Sequence, residues 1–190
     1  MNEQTEECRP LLRSQSITLR PILKMDVPLL KKWLSNPDVL RFYEGRDRLF
    51  NEENILQKFF RELEKETKCI ITYDDCRVGY LQFYELDSRT MYSYGYFNEE
   101  VVVGMDQFIG ETQYWNKGIG TQIIEAVSDY LFLHKRAARV VMDPRVSNLR
   151  AIHVYEKCGF QKVKLLEKHE WHEGEYRDCW LMEKKRSENG

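Results

Sequence analysis

Val102-Val-Gly-Met-Asp106-Gln-Phe-Ile-Gly-Glu111-Thr-Gln-Tyr-Trp-Asn116-Lys-Gly118-Ile-Gly120-Thr121 is the stretch whose reading decides the fold. Its first half carries Val102, Val103, Met105, Phe108 and Ile109, an apolar set that favours a β-strand. Its second half ends in a turn where Gly118 and Gly120 let the backbone come close to a ligand. Beyond it Ile123, Ile124, Val127, Tyr130 and Leu131 fall at the spacing of one helix face. Strand, glycine turn and helix N-terminus together make an anion site, because the first amides of a helix lack intrahelical partners and the dipole adds positive potential. A phosphate-bearing cofactor is the natural guest.

The motif is neither a Walker loop nor the dinucleotide G-x-G-x-x-G, since Ile123 stands where the third glycine would be. Taken alone it is also compatible with an ordinary loop entering a helix. A second segment shifts the balance. In Asn148-Leu-Arg-Ala-Ile-His-Val-Tyr155-Glu-Lys-Cys-Gly159-Phe160, Asn148 reads as a helix N-cap and Gly159 as the left-handed residue that stops the helix. Between them Ala151, Ile152 and Tyr155 share a face, and the strand Val140–Met142 precedes the helix.

K-G-I-G-T and N-x-x-A-I-x-x-Y-x-K-x-G-F, in that order, resemble the GNAT superfamily of N-acetyltransferases. With G-M-D-Q-F-I-G-E, Y-W-N-K-G-I-G-T, M-D-P and H-E-x-H-E-G added, the chain closely resembles the aminoglycoside 6′-N-acetyltransferases from about Ile17 to Lys185. The resemblance implies an α/β (mixed α+β) acyl-CoA N-acyltransferase fold, a mostly antiparallel twisted sheet flanked by helices. It implies acetyl-coenzyme A as cofactor, contacted by Phe108, Ile109, Trp115, Asn116, Lys117, Gly118, Ile119, Gly120, Thr121, Asn148, Ala151 and Tyr155. One departure is Trp115, which stands where the superfamily usually has Gln or Arg. The implied activity is acetyl transfer to the 6′-amine of aminoglycosides such as kanamycin, which confers antibiotic resistance. The same motifs also serve other amine acceptors: a siderophore hydroxylamine, a polyamine or a peptide.

Acyl transfer from a thioester to an amine requires a neutral amine and a stabilised leaving thiolate. Asp106 lies on the central strand amid Val, Met and Phe, where a carboxylate is costly unless used or paired. By resemblance it is the base or substrate anchor, and Tyr155 is the proton donor to the departing sulfur. Asp143, in Met142-Asp143-Pro144, matches an acid that binds substrate ammonium groups, although Asp-Pro is equally a turn opener. Tyr43 and Glu44 lie in a loop that, by the same resemblance, is expected to wall the acceptor pocket. Glu170, Glu173 and Asp178 are further candidate acids. His169-Glu-Trp-His172 misses the H-E-x-x-H spacing, so no metal is expected, and Gly174 with its acidic neighbours suggests a loop.

The 190 residues bear a net charge of −2, which argues against a nucleic-acid footprint, while local acid suits a small polycationic substrate. Five cysteines without a C-x-x-C pair fit a reducing, cytoplasmic setting. No apolar run approaches the ~20 residues of a membrane span. Residues 1–16 read as a loose arm before a single domain over 17–186, expected to be a monomer or homodimer. Strands are expected at Ile17–Pro21, Cys69–Tyr73, Val78–Tyr84, Gln161–Leu166 and Asp178–Glu183. Asp26 is expected to cap a short helix, and an amphipathic helix should run from Asn51 to Lys65 with Ile55, Leu56, Phe59, Phe60 and Leu63 buried. The alternating Tyr92, Tyr94 and Tyr96 suggest an edge strand.

Overall fold

The computed structural model describes residues 9–48, 50–97 and 99–187. Eight strands hydrogen-bond in the order β1-β2-β3-β4-β5-β6-β8-β7, with β1 Leu12–Ser14, β2 Ile17–Pro21, β3 Glu66–Tyr73, β4 Cys76–Glu85, β5 Val102–Ile109, β6 Arg139–Met142, β7 Gln161–His172 and β8 Glu175–Lys185. The β1/β2, β2/β3, β6/β8 and β7/β8 pairs are antiparallel and β5/β6 is parallel. This is the mixed α/β arrangement expected. The chain divides into two compact units, Met1–Gln82 with Gln107–Ile119, and Phe83–Asp106 with Gly120–Gly190.

In the first unit, helices α1 (Val27–Trp33), α2 (Pro37–Leu40) and α3 (Glu52–Phe59) bury Leu30, Trp33, Ile55 and Phe59 against Ile70, Tyr80 and Phe108. Asn36 and Asn51 cap α2 and α3, accepting from the amides of Asp38 and Asn54. Asp26 occupies the N-cap position of α1 but makes no side-chain cap. Its fully buried carboxylate takes both guanidinium nitrogens of Arg20, at 2.8 and 2.6 Å, and the Leu23 amide at 2.8 Å.

Helix α3 is shorter than its sequence pattern. It stops at Phe59 because Glu62 turns left-handed (φ 54°) and the Lys68 ammonium caps the carbonyls of Lys58 and Arg61, each at 3.0 Å. Leu63, beyond the helix end, is exposed, and so is Leu56 within it, against the expected buried stripe. Within the expected loose arm, Leu12–Ser14 is a paired strand, and residues 1–8 lie outside the described residues.

In the second unit, α4 (Ser88–Tyr94) replaces the edge strand suggested by the alternating tyrosines. Asp87 caps it through the Thr90 amide, and Gly95 (φ 91°) ends it. Helix α5 (Ile119–His134) buries Ile123, Ile124, Val127 and Leu131, and α6 (Leu149–Lys157) buries Ile152 and Tyr155. The expected loop at His169–Glu173 is instead the end of β7 and its turn. Glu173 (φ 50°) and Gly174 (φ 91°) form a two-residue hairpin connection, which lets β7 and β8 run longer than their apolar runs indicate.

Candidate active site

The acids cluster at the ends of β5 and β6. Their parallel register pairs Val102 with Arg139 and Gly104 with Val141. Asp106 lies on β5 two residues beyond the last of these pairs, Asp143 follows the end of β6, and the charges of both reach Tyr84 and Tyr94. On β4, the Tyr84 phenol hydrogen-bonds Asp106. Its pKa is driven far up, by burial first and then by the charges of Asp106 and Asp143, so it remains a neutral donor. The Tyr84 ring fits only because residue 104 is glycine: a Cβ there would lie 2.6 Å from the ring.

A second group converges on Asp143. The Tyr94 hydroxyl of α4 donates to Asp143 Oδ2 at 3.2 Å, and His169 Nε2 of β7 lies 2.8 Å from the same oxygen. Tyr94 is also held neutral, by burial and then by Asp143. His169 is shifted above its ordinary value, chiefly by its hydrogen bond to Asp143, against the opposing effect of burial. Two carboxylates, two phenol donors and one imidazole thus share one region. It is chemically suited to holding a cation and passing a proton.

The neighbouring hairpin is locked by charge. Arg145, nearly fully buried, donates to Glu170 Oε1 at 2.9 Å and meets His172 Nδ1 at 2.7 Å. A guanidinium cannot accept, so that ring nitrogen is the acceptor. Asp143 and Arg145 therefore fasten both sides of Pro144 to β7, through His169 and Glu170. Among the other acids inferred from sequence, Glu173 lies beside His172 at 3.8 Å, and Asp178 accepts the Lys168 amide at 2.8 Å. Lys168 is left-handed (φ 48°) where the β7/β8 register slips, so Asp178 has a local structural use. Burial pushes the Cys179 thiol up to about 12, which leaves it inert as a nucleophile.

At the cofactor-type turn, Gly120 already lies within helix α5. Asn116 (φ 58°) and Gly118 (φ 77°) are left-handed immediately before α5. A Cβ at Gly118 would meet no described atom within 4 Å, so the turn is open above that residue. A cradle of this kind at the start of a 16-residue helix fits a diphosphate. Trp115 turns its indole N–H back onto the Ile109 carbonyl at 2.8 Å, bracing the loop from within. In the second unit Asn148 caps α6 through the Ala151 amide at 3.3 Å, Gly120 packs on Val154, and Tyr155 lies against Phe160. Tyr43 and Glu44 belong to the first unit. There Tyr43 packs on Phe108 with ring centroids 4.6 Å apart, and Glu44 is ion-paired with Arg48 and Lys58.

Asp106 and Asp143 were singled out from sequence, and the structure brings them together. Tyr84, Tyr94 and His169 were not assigned there. Tyr84 was read only as part of a strand and Tyr94 as part of an alternation, while His169 was weighed as a metal ligand. Among the described residues no group of three or more His, Cys, Asp or Glu is arranged to hold a metal ion. No helix among them is long and apolar enough to cross a membrane.

The acetyltransferase (GNAT) domain model matches residues 23–168. The chain belongs to the GNAT family. This GNAT chain is 29% identical over 156 residues to an aminoglycoside N(6′)-acetyltransferase type 1 from Klebsiella pneumoniae, covering 78% of this chain and 76% of that protein. Among solved structures it resembles AAC(6′)-Ib in complex with ribostamycin and coenzyme A, at TM-score 0.73 and 25% identity, over 90% of this chain and 94% of that one. A Bacillus halodurans protein of uncharacterised role matches at TM-score 0.77 over 94% of this chain and 91% of that one, and at 22% identity it speaks to the fold alone. As a GNAT domain the chain is an acetyltransferase, and acetyl-coenzyme A is the cofactor of the family.

Proposed function

We propose that this GNAT enzyme transfers acetyl from acetyl-coenzyme A to the 6′-amine of aminoglycosides. The observation that carries the reading is the pair of carboxylates, Asp106 on β5 and Asp143 just past β6, which share the phenols of Tyr84 and Tyr94. Paired carboxylates in a partly desolvated region favour a substrate with several ammonium groups over a neutral amine. Kinship to the Klebsiella enzyme supports the same acceptor class.

When bound, acetyl-coenzyme A supplies the acyl group as a thioester. The residues of this chain do the rest. Amides of the open turn at Lys117–Thr121, which opens α5, would hold the cofactor's diphosphate. Phe108 and Ile109 in the first unit, and Asn148 and Ala151 in the second, are each proposed as cofactor contacts. Asp106 holds the 6′-ammonium and takes a proton from it, so that the amine attacks in its neutral form. The Tyr84 hydroxyl keeps the Asp106 carboxylate oriented. Asp143 holds a second ammonium group. The Tyr155 phenol is the group of this chain that would donate the proton needed by the leaving sulfur. Glu170, Glu173 and Asp178 are proposed acceptor contacts of lower rank, since each already has a partner within the fold. Tyr43 and Glu44 of the first unit are proposed, by themselves, as acceptor contacts.

The test is a thiol-release assay with acetyl-coenzyme A and a panel of acceptors: kanamycin, a 6′-hydroxy aminoglycoside, a linear polyamine, a hydroxylamine and a peptide N-terminus. Turnover with kanamycin that is lost with the 6′-hydroxy analogue is the expected result. Turnover with the other amines and none with any 6′-amino aminoglycoside would reassign the acceptor.

A further inference from the structure

We infer that His169 is a specificity-determining residue that, when protonated, occupies Asp143 as a built-in stand-in for a substrate ammonium group. The inference rests on the proposed cationic acceptor and assigns one of its contacts. His169 Nε2 sits 2.8 Å from Asp143 Oδ2, at the distance and in the role that an acceptor ammonium nitrogen would take. Both side chains remain about one-third exposed, at 33% and 31%, so the pair can be reached and parted without unfolding β7.

The surroundings favour the charged imidazole. From α4, Tyr94 offers only its hydroxyl, 3.4 Å from the same nitrogen and 3.2 Å from Asp143. From β4, the neutral Tyr84 phenol faces Asp143 and Asp106 of β5, and neither Tyr84 nor Asp106 is among the groups that shift His169. On its own strand, Glu170 adds negative charge partly offset by Arg145, and Lys168 presents its amide to Asp178 of β8. The shift of His169 above its ordinary value agrees with this balance. A cationic guest at Asp143 must displace the imidazolium, whose proton then loses the partner that favours it. Binding to Asp143 is therefore in competition with protons.

The experiment compares the wild type with His169→Gln and His169→Lys, using kanamycin and a linear polyamine as probes. Ionisation of the acceptor itself cancels in the ratio of KM values between wild type and variant. That ratio, wild type over His169→Gln, should rise as the pH falls, by at most about tenfold per pH unit below the imidazole midpoint, and flatten above it. His169→Lys, permanently charged, should raise KM at every pH. Loss of mere packing would change KM by the same factor throughout, so a ratio equal at acid and alkaline pH overturns the inference. If neither probe is acetylated by any form, the acceptor reading has failed and the inference falls with it. Turnover with a flat ratio removes the inference alone.

Discussion

The ring of Tyr84 lies directly over Gly104, so close that a Cβ at position 104 would stand 2.6 Å from one ring carbon and 2.8 Å from the next. A backbone residue of β5 thus fixes a side chain of β4, and that side chain hydrogen-bonds Asp106, two residues along from the glycine. The glycine is not needed for its conformational freedom, since it lies in regular strand. It is needed for the space its missing side chain leaves.

Gly104→Ala should therefore act as a lever on Asp106. Relieving the clash costs about 1–3 kcal/mol of stability, as for other overpacked sites. The Tyr84 hydroxyl must also move away from the carboxylate. The expected outcome is a folded protein with a lower melting temperature and kcat/KM reduced about tenfold or more, since small misplacements of positioning groups are amplified in rate. Full activity with reduced stability would show that Tyr84 has no part in the reaction.

Asp106→Asn and Tyr84→Phe separate the acid from its support. Removing a general base costs roughly 10²–10⁴-fold, and that loss is expected in kcat for Asp106→Asn. Tyr84→Phe removes one hydrogen bond to a charged group, worth about 1.5–3 kcal/mol, so an intermediate loss is expected. In the double variant the phenylalanine should add little, because its partner is already gone. Steady-state kinetics of the three proteins checks this, and additive losses would refute the coupling.

At the cofactor turn, Gly118 is left-handed with open space where a Cβ would go, so strain rather than collision governs any substitution. Gly118→Ala should cost about 1–2 kcal/mol to hold that conformation, and relaxation of the turn should raise the KM for acetyl-coenzyme A several-fold. Gly118→Asn should be milder, because Asn tolerates the left-handed region. Equal effects from Ala and Asn would point to obstruction of the cofactor instead.

Much of this was legible in the sequence, for definite reasons. The strand Val102–Ile109, the helix after Gly120 and the Asn148 cap each rest on local signals, namely residue type, periodicity and a capping side chain within four residues. The end of α3 was not legible, because the group that stops it is Lys68, ten residues from the Lys58 carbonyl it binds. Helix α4 was hidden because Ser88–Tyr94 has weak helical propensity and alternating tyrosines, and only Asp87 and Gly95 mark its ends. At the site, Asp106 stood out as a lone carboxylate in an apolar strand. Tyr84, Tyr94 and His169 did not, since their meeting with the two acids depends on strand order, which no short window of sequence encodes.

Arg20 and Asp26 provide a control remote in sequence from every proposed catalytic residue. The carboxylate is fully buried and receives two guanidinium bonds and one amide. Asp26→Ala removes the carboxylate that pairs with Arg20, a loss of about 3–5 kcal/mol for a broken buried pair. Replacing both partners by apolar residues should recover part of that loss. Urea unfolding measures both, and the double variant proving worse than Asp26→Ala would show that the pair itself is net stabilising.

The bond between His169 and Asp143 also predicts how stability varies with pH. His169 is raised above its ordinary value of 6.5 in the folded chain, principally by that bond. A group raised on folding adds stability in full below its unfolded pKa, and the addition fades as the pH climbs through the folded one. Wild type should therefore exceed His169→Gln in melting temperature at about pH 5.5, with the gap fading as the pH rises above 6.5 through the raised value. Asp143→Asn should abolish the gap by removing the charge that holds the proton. A gap that persists unchanged at alkaline pH would mean that His169 contributes by packing alone. Saturating kanamycin should narrow the gap at low pH, because an imidazolium displaced from Asp143 no longer has a folded-state partner to favour its charge.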